Sequence, residues 1–91
     1  MTETTEARLK RMRMRSWRRG TKEMDLVLGP WADTHLTSLN DDELASYDIL
    51  LEENDQDLMA WILGQSSAPA PIAALLDRIA AHARSRLQSP A

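Results

Sequence analysis

The stretch Arg18-Arg19-Gly20-Thr21-Lys22-Glu23 lies between two helical patterns and places a glycine where a continuous helix would disfavour one. A glycine inside a helix costs about 1 kcal/mol relative to alanine. Gly20 therefore indicates that a helix stops there or that another backbone approaches closely. Because basic side chains surround this bare piece of backbone, the stretch favours a docking surface over a catalytic pocket.

The length and composition of the chain limit what it can be. Its 91 residues make one domain, residues 1–91, and a domain of this size has little spare volume for a deep cavity. An apolar content of 43% indicates a folded chain, and the absence of cysteine excludes disulfides and thiol catalysis. No apolar run is long enough to insert into a membrane, and no signal peptide is visible. We expect a soluble, intracellular protein.

The net charge of −3 conceals a strong asymmetry along the chain. Residues 1–22 carry eight basic and two acidic side chains, whereas residues 23–64 carry eleven acidic side chains and no basic one. Such a division can orient a partner in the field of the protein. It is equally compatible with a basic helix that lies against an acidic body within one molecule. The sequence leaves both interpretations open.

Apolar spacing predicts two helices around the opening stretch. The first covers residues 5–19, with Arg18 and Arg19 in its last turn and Gly20 as its stop. The second carries an apolar stripe of the i, i+3, i+4, i+7 type, formed by Met24, Val27, Leu28 and Trp31. Gly29-Pro30 interrupts this stripe, so we expect a kink or an early end near Leu28.

The second half of the chain also reads as helical. Asn40 and Glu43 form the sequence pattern of a capping box, which predicts a helix that ends near Asn54. Asp55 begins a further short helix, which Gly64 stops. Residues 65–71 have the composition of a linker, and residues 72–88 carry the apolar stripe of a last helix. With no strand pattern, the fold class is all-α, a small bundle of four to five short helices.

The residue patterns of catalysis and metal binding are missing. The sequence has no glycine-rich phosphate loop, no nucleophile turn and no closely spaced histidine pair. His35 and His82 are interpreted as surface or helix-end residues, because neither has ligand-type neighbours at metal spacing. The paired carboxylates are interpreted as solvated helix faces. We therefore expect no catalytic residue, no metal ligand and no enzymatic activity.

Two other functions stay open on the residues alone. The basic segment of residues 8–15 can attract nucleic acid, although the acidic body and a sequence pI near 5.2 oppose this. A helical adaptor for some other complex is the second alternative.

Trp31 and Trp61 lie on apolar stripes and are predicted to be core residues. Trp17 is favoured as core as well, with a partner anchor as the alternative.

The chain resembles the succinate dehydrogenase assembly factors, or flavinators, over residues 8–64. Arg19-Gly20-Thr21-Lys22-Glu23, followed by Asp25, is similar to the family signature R-G-x-x-E. Further segments follow in the family's order and spacing: Ser38-Leu39-Asn40-Asp41-Asp42-Glu43, Leu50-Leu51-Glu52, Asp55-Gln56-Asp57-Leu58 and Trp61-Ile62-Leu63-Gly64. Met24 stands where the family often has leucine. The residues from Gln65 onward carry no signature of the family.

The resemblance implies a small helical bundle without catalytic machinery of its own. It implies binding to the immature flavoprotein subunit of succinate dehydrogenase, and in bacteria also to that of fumarate reductase, so that FAD becomes covalently attached. The partner would carry both the FAD and the histidine that becomes linked to it, and this chain would bind no cofactor stably. We expect a free chain that is monomeric and cytoplasmic in a bacterium, with the mitochondrial matrix as the alternative location.

The resemblance implies that Arg19, Gly20, Glu23 and Asp25 contribute to a partner-binding surface, and the neighbouring residues Trp17 and Arg18 are assigned to the same surface. Gly20 leaves the backbone bare, so a partner surface can approach it. Arg19 is able to make bidentate contact with a carboxylate of the partner. On a continuous helix Arg19 and Glu23 would share one face, and their pairing with each other is the alternative interpretation.

Overall fold

The computed structural model describes the backbone of residues 3–88 and the side chains of residues 3–86. Five α-helices follow one another: α1 Thr5–Trp17, α2 Lys22–His35, α3 Asp41–Leu51, α4 Asp55–Ile62 and α5 Ala70–Gln88. A short 3₁₀ turn, Leu36–Ser38, joins α2 to α3. No strand occurs within residues 3–88. The predicted all-α bundle is confirmed.

Local side chains determine where the first four helices begin. The side chains of four residues accept a hydrogen bond from a backbone N–H of the first turn: Thr4, Thr21, Asn40 and Asn54. At Asn40 the predicted capping box is complete, because the Glu43 carboxylate accepts the Asn40 N–H at 2.9 Å. Gly64 follows α4 with a φ of 77°, a conformation that favours glycine. Each of these devices satisfies backbone groups that a helix end leaves unpaired.

The core lies where α2 and α5 meet α1, α3 and α4. Its largest fully buried side chains include Met12, Met24, Leu28, Trp31, Tyr47, Leu50, Leu58, Ile72 and Ile79. Among the side chains that the structure describes, Ser16 is the buried polar residue of this core; it donates to the Met12 carbonyl and shares a hydrogen bond with the Tyr47 hydroxyl. Burial raises the pKa of Tyr47 to about 12. The hydroxyl therefore stays neutral and tethers α1 to α3.

The expected end of α2 near Leu28 is wrong, because the helix runs through Gly29-Pro30 to His35. Pro30 has no N–H, so the carbonyl of Leu26 loses its partner within the helix. Arg86 of α5 supplies the missing donor, at 2.9 Å from Nη1 to the Leu26 oxygen. Helix α5, distant in sequence, thus replaces the hydrogen bond that Pro30 cannot make.

Gly29 lets the Trp17 ring of α1 lie directly against α2. A Cβ atom at this position would lie 2.3 Å from the ring of Trp17, well inside van der Waals contact. The indole of Trp17 lies over the glycine, and its Nε1 donates to the Asp33 carboxylate at 3.2 Å. The glycine that suggested an interruption of the helix therefore serves the packing of a tryptophan.

Two tryptophan assignments also need correction. Trp17, which was favoured as core, is 39% exposed because one face of its indole covers Gly29 and the rest meets solvent. Trp61 is half-buried and packs against the edge of the core, since α4 is short and lies at the surface. Trp31 is 1% exposed, as predicted.

Helix α1 ends earlier than predicted. Its last residue is Trp17, and Arg18 leaves the helical conformation with φ −126° and ψ 56°. Gly20 is not a left-handed helix stop, because Gly64 alone has a positive φ among the described residues. Helix α3 likewise ends at Leu51 and not near Asn54. Residues 18–21 therefore form a separate connection between α1 and α2.

We predict that Gly29→Ala lowers the free energy of unfolding by about 1–3 kcal/mol, because the added methyl group forces the Trp17 ring away. In the Trp17→Ala background the same change should raise it by about 0.5–1 kcal/mol, since alanine is the better helix former. Urea unfolding of the four proteins measures both effects. An equal cost of Gly29→Ala in the two backgrounds would show that the tryptophan does not require the glycine.

We predict that Arg86→Ala costs about 0.5–1 kcal/mol in the native chain, as expected for one partly exposed hydrogen bond. In a Pro30→Ala background the cost should approach zero, because the restored N–H of residue 30 supplies the bond to Leu26. A double-mutant cycle of thermal or urea unfolding measures this coupling. Arg84→Ala is the matched control on the same helix, since Arg84 makes no ion pair with the described residues. Equal costs of Arg86→Ala in both backgrounds would rule out the compensation.

Candidate partner-binding surface

One face of α1 pairs with an acidic residue of α3 and with another that follows α3 directly. Arg8 and Arg11 both contact Asp48, at 3.2 and 3.0 Å, and Arg15 contacts Glu52 at 3.1 Å. Burial raises the pKa of Asp48, but the hydrogen bonds from Arg11 and Arg8 outweigh it, so the pKa lies below its ordinary value. The charge division along the sequence is therefore largely satisfied inside the molecule.

This pairing bears on the nucleic-acid alternative. The arginines that supported it, Arg8, Arg11 and Arg15, are engaged with carboxylates of the same chain. Binding to phosphates would have to compete with these internal ion pairs. The sequence argument for a nucleic-acid module thus loses its main residues.

Arg19 makes the most buried ion pair in the described part of the chain. Its side chain is 9% exposed and that of Asp55 is 15% exposed. Arg19 Nε donates to Asp55 Oδ1 at 2.9 Å, while Nη1 and Nη2 donate to the carbonyls of Leu51 at 2.9 Å and Glu53 at 2.6 Å. The guanidinium therefore joins the connection between α1 and α2 to the connection between α3 and α4. Its ion pair is with Asp55, and the alternative pairing with Glu23 is not observed.

The backbone at Arg19 and Gly20 is fixed by two carboxylates. Asp55 Oδ2 accepts the N–H of Gly20 at 2.7 Å, and Asp25 Oδ1 accepts the N–H of Arg19 at 2.6 Å. A Cβ atom on Gly20 would lie 3.2 Å from Asp55 Oδ2, which is tighter than most such contacts. We call residues 18–21, held in this way, the glycine bend. Its form depends on side chains from both α2 and α4.

Asp55 is a residue whose role at this surface the sequence did not reveal. It was interpreted only as the first residue of a short helix, a position that it does occupy. Its two partners lie 35 and 36 residues away in sequence, and no spacing rule connects positions so far apart. Its place within a matching family segment was the one available signal.

The six residues assigned to partner binding divide into two groups. Trp17, Arg18, Gly20 and Glu23 are exposed to solvent, and Glu23 stands in the first turn of α2. Arg19 and Asp25 are partly buried and are engaged within the bend. The structure thus brings the six residues to one junction, but it presents only four of them outward.

An apolar depression adjoins Glu23 between α2, α4 and α5. Leu26 and Leu63, which are 47% and 62% exposed, lie at its surface. Met59 and Ile62 contribute to its lining as half-buried side chains. Exposed apolar side chains grouped in this way are typical of surfaces that contact other proteins.

The two histidines lie together although they are distant in sequence. The rings of His35 and His82 are 5.4 Å apart in an edge-to-face arrangement, and His35 also contacts Trp31. Burial lowers the pKa of His82, and the charges of His35 and Arg86 add to the effect. His35 is the last residue of α2, as predicted for a helix-end histidine. Within residues 3–88 no three side chains are grouped as a metal site would require.

No helix in the described part of the chain is long and apolar enough to cross a membrane.

Comparison with known proteins gives a consistent result. The model of the family described as "Flavinator of succinate dehydrogenase" matches residues 10–83. The FAD assembly factor SdhE of Vibrio cholerae is 36% identical over 72 residues, which cover 78% of this chain and 84% of that protein. The protein of the same name from Photobacterium profundum is also 36% identical, over 78% of this chain and 82% of its own length.

A mitochondrial protein is similar over a shorter stretch. The mitochondrial succinate dehydrogenase assembly factor 2 of Meyerozyma guilliermondii is 44% identical over 59 residues. These residues cover 65% of this chain and 44% of the fungal protein. With its family match spanning both sides of the glycine bend, the chain belongs to the flavinators of succinate dehydrogenase, the FAD assembly factors of that enzyme.

Proposed function

We propose that this chain binds the immature flavoprotein subunit of succinate dehydrogenase and promotes the covalent attachment of FAD to it. The observation that carries the proposal is the glycine bend, an exposed piece of backbone held by the carboxylates of Asp25 and Asp55, in a member of the flavinator family. Trp17, Arg18, Gly20 and Glu23 form the outward part of the proposed contact. The apolar depression beside Glu23 extends it.

The chemistry of this surface supports a binding role and not a catalytic one. Two of its polar groups, the N–H groups of Arg19 and Gly20, already serve internal hydrogen bonds. The exposed charges belong to Arg18 and Glu23, and neither stands in a closed pocket that would exclude water. The partner would carry the FAD and the histidine that reacts with it. This chain would contribute binding free energy that favours one conformation of the partner.

Three finer expectations stay predictions. A second client, the flavoprotein subunit of fumarate reductase, rests on the family resemblance alone. A monomeric free chain is likewise a prediction. A bacterial cytoplasmic location is the third, with the mitochondrial matrix as the alternative, since the relatives include bacterial and mitochondrial proteins.

The function predicts that covalent flavin on the flavoprotein subunit depends on this chain. The subunit should be produced with and without the chain, denatured and examined for flavin fluorescence in a gel, because covalent flavin survives denaturation. We expect a fluorescent band that is strong only when the chain is present. Equal bands in both samples would contradict the proposal and leave a helical adaptor with another client.

We predict that Gly20→Arg reduces covalent flavin at least tenfold while the melting temperature changes little. The long side chain would occupy the bare backbone surface, and its Cβ would crowd Asp55 Oδ2 at 3.2 Å. Because Gly20 is exposed, the rest of the side chain extends into solvent and leaves the core intact. Gly64→Arg would not be a matched control because Gly64 has a positive φ. Thr37→Arg, at an exposed position of the 3₁₀ turn, is suitable. Normal flavin attachment with Gly20→Arg would show that the partner does not contact the bend.

A further inference from the structure

We propose that Arg19 acts inside this chain and that Asp55 is the positioning residue for the glycine bend. Arg19 would then support the partner-binding surface without touching the partner. The inference rests on the proposed function, because it assigns separate roles to residues of the same surface. It departs from the interpretation of Arg19 as a direct contact with a carboxylate of the partner.

The first step is the state of the guanidinium. All three of its nitrogens donate to acceptors of the same chain: Asp55 Oδ1, the Leu51 carbonyl and the Glu53 carbonyl. With 9% of the side chain exposed, little of Arg19 is available to a partner. A rotation toward a partner would leave three acceptors without their donor, one of them a largely buried carboxylate. Such a rotation is strongly opposed.

The second step is the double use of Asp55. Its Oδ1 accepts from the Arg19 side chain, and its Oδ2 accepts from the backbone N–H of Gly20. The arginine therefore fixes the rotation of the carboxylate, and the carboxylate fixes the orientation of the glycine peptide. Because Asp55 is the first residue of α4, this contact also sets the position of α4 beside the bend.

The third step is what remains for a partner to contact. Asp25 holds the N–H of Arg19, and Asp55 holds that of Gly20, so two consecutive backbone donors point inward. The outward side of the bend then offers the Cα of Gly20, together with the side chains of Arg18 and Glu23. The partner would meet a backbone whose N–H groups at residues 19 and 20 are already used, beside the charged side chains of Arg18, Lys22 and Glu23.

Asp55→Asn tests this arrangement with a nearly isosteric change. Asn replaces one of the two carboxylate oxygens with an NH2 donor, which would then face either Arg19 Nε or the Gly20 N–H, so one of the two contacts is lost. The matched control is Asp48→Asn, which disturbs the ion pairs of Arg8 and Arg11 along the same face of α1 but does not contact the bend. Arg19→Gln and the double variant Arg19→Gln/Asp55→Asn complete the set. Circular dichroism melts establish that each variant is folded.

Affinity for the purified flavoprotein subunit is the first readout. We expect Asp55→Asn and Arg19→Gln each to weaken binding at least tenfold, and Asp48→Asn to weaken it less than twofold. The double variant should bind no more weakly than the weaker single variant, since both changes remove one contact. If Asp55→Asn binds as tightly as the native chain while Arg19→Gln does not, Arg19 contacts the partner directly and the inference is wrong.

Hydrogen exchange of the Gly20 amide, measured by NMR on the free chain, is the second readout and needs no partner. We expect exchange at least tenfold faster in Asp55→Asn than in the native chain, and little change in Asp48→Asn. Equal exchange in the native chain and Asp55→Asn would overturn the positioning role. If the native chain failed to bind the flavoprotein while the exchange rates differed as expected, the proposed function would fail and the role of Asp55 would stand.

Discussion

The row of ion pairs that α1 and the glycine bend make with acidic residues of α3, of α4 and of the segment between them is the interaction on which the other features of this chain depend. Exposed ion pairs such as Arg15 with Glu52 contribute only about 0–1 kcal/mol each. The pair at the end of the row differs, because Arg19 and Asp55 are largely buried and both are hydrogen bonded to backbone as well. Removing one partner of such a pair lowers the stability of the fold strongly, because it leaves the other charge buried and unpaired. The row therefore orients α1, and its last member fixes the chain where α1 ends.

The close packing of Trp17 on Gly29 holds α1 firmly against α2 in this small domain. Gly29 lets the indole of Trp17 lie directly on the backbone of α2. The adjacent Pro30 would leave a carbonyl of α2 unpaired, and Arg86 restores its bond from α5. Trp17 thus connects α1 to α2, and Arg86 connects α2 to α5. Both contacts hold α2, the helix that begins immediately after the glycine bend. Helix α5, although distant in sequence, therefore contributes to the shape of the candidate partner-binding surface.

The sequence predicts those parts of the fold that local rules govern. The helices, the capping box at Asn40 and the end of α4 at Gly64 all follow from residues within a few positions of each other. The failures share a different cause. Gly29-Pro30 reads as an interruption unless Trp17 and Arg86 are known to approach it, and they come from other helices. The role of Asp55 is hidden for the same reason, because its partners, Arg19 and Gly20, reach it only where the glycine bend lies against the start of α4.

The candidate surface shows why a short signature is difficult to interpret residue by residue. On one continuous helix, the spacing of Arg19 and Glu23 would place both side chains on the same face. The chain leaves the helix after Trp17 and begins a new one at Lys22, so this geometry does not apply. Arg19 turns inward to Asp55, whereas Glu23 faces solvent in the first turn of α2. A signature of this kind combines residues that present a surface with residues that maintain its shape. The second group is recognised by burial and by hydrogen-bond partners within the chain, and Arg19 meets both criteria.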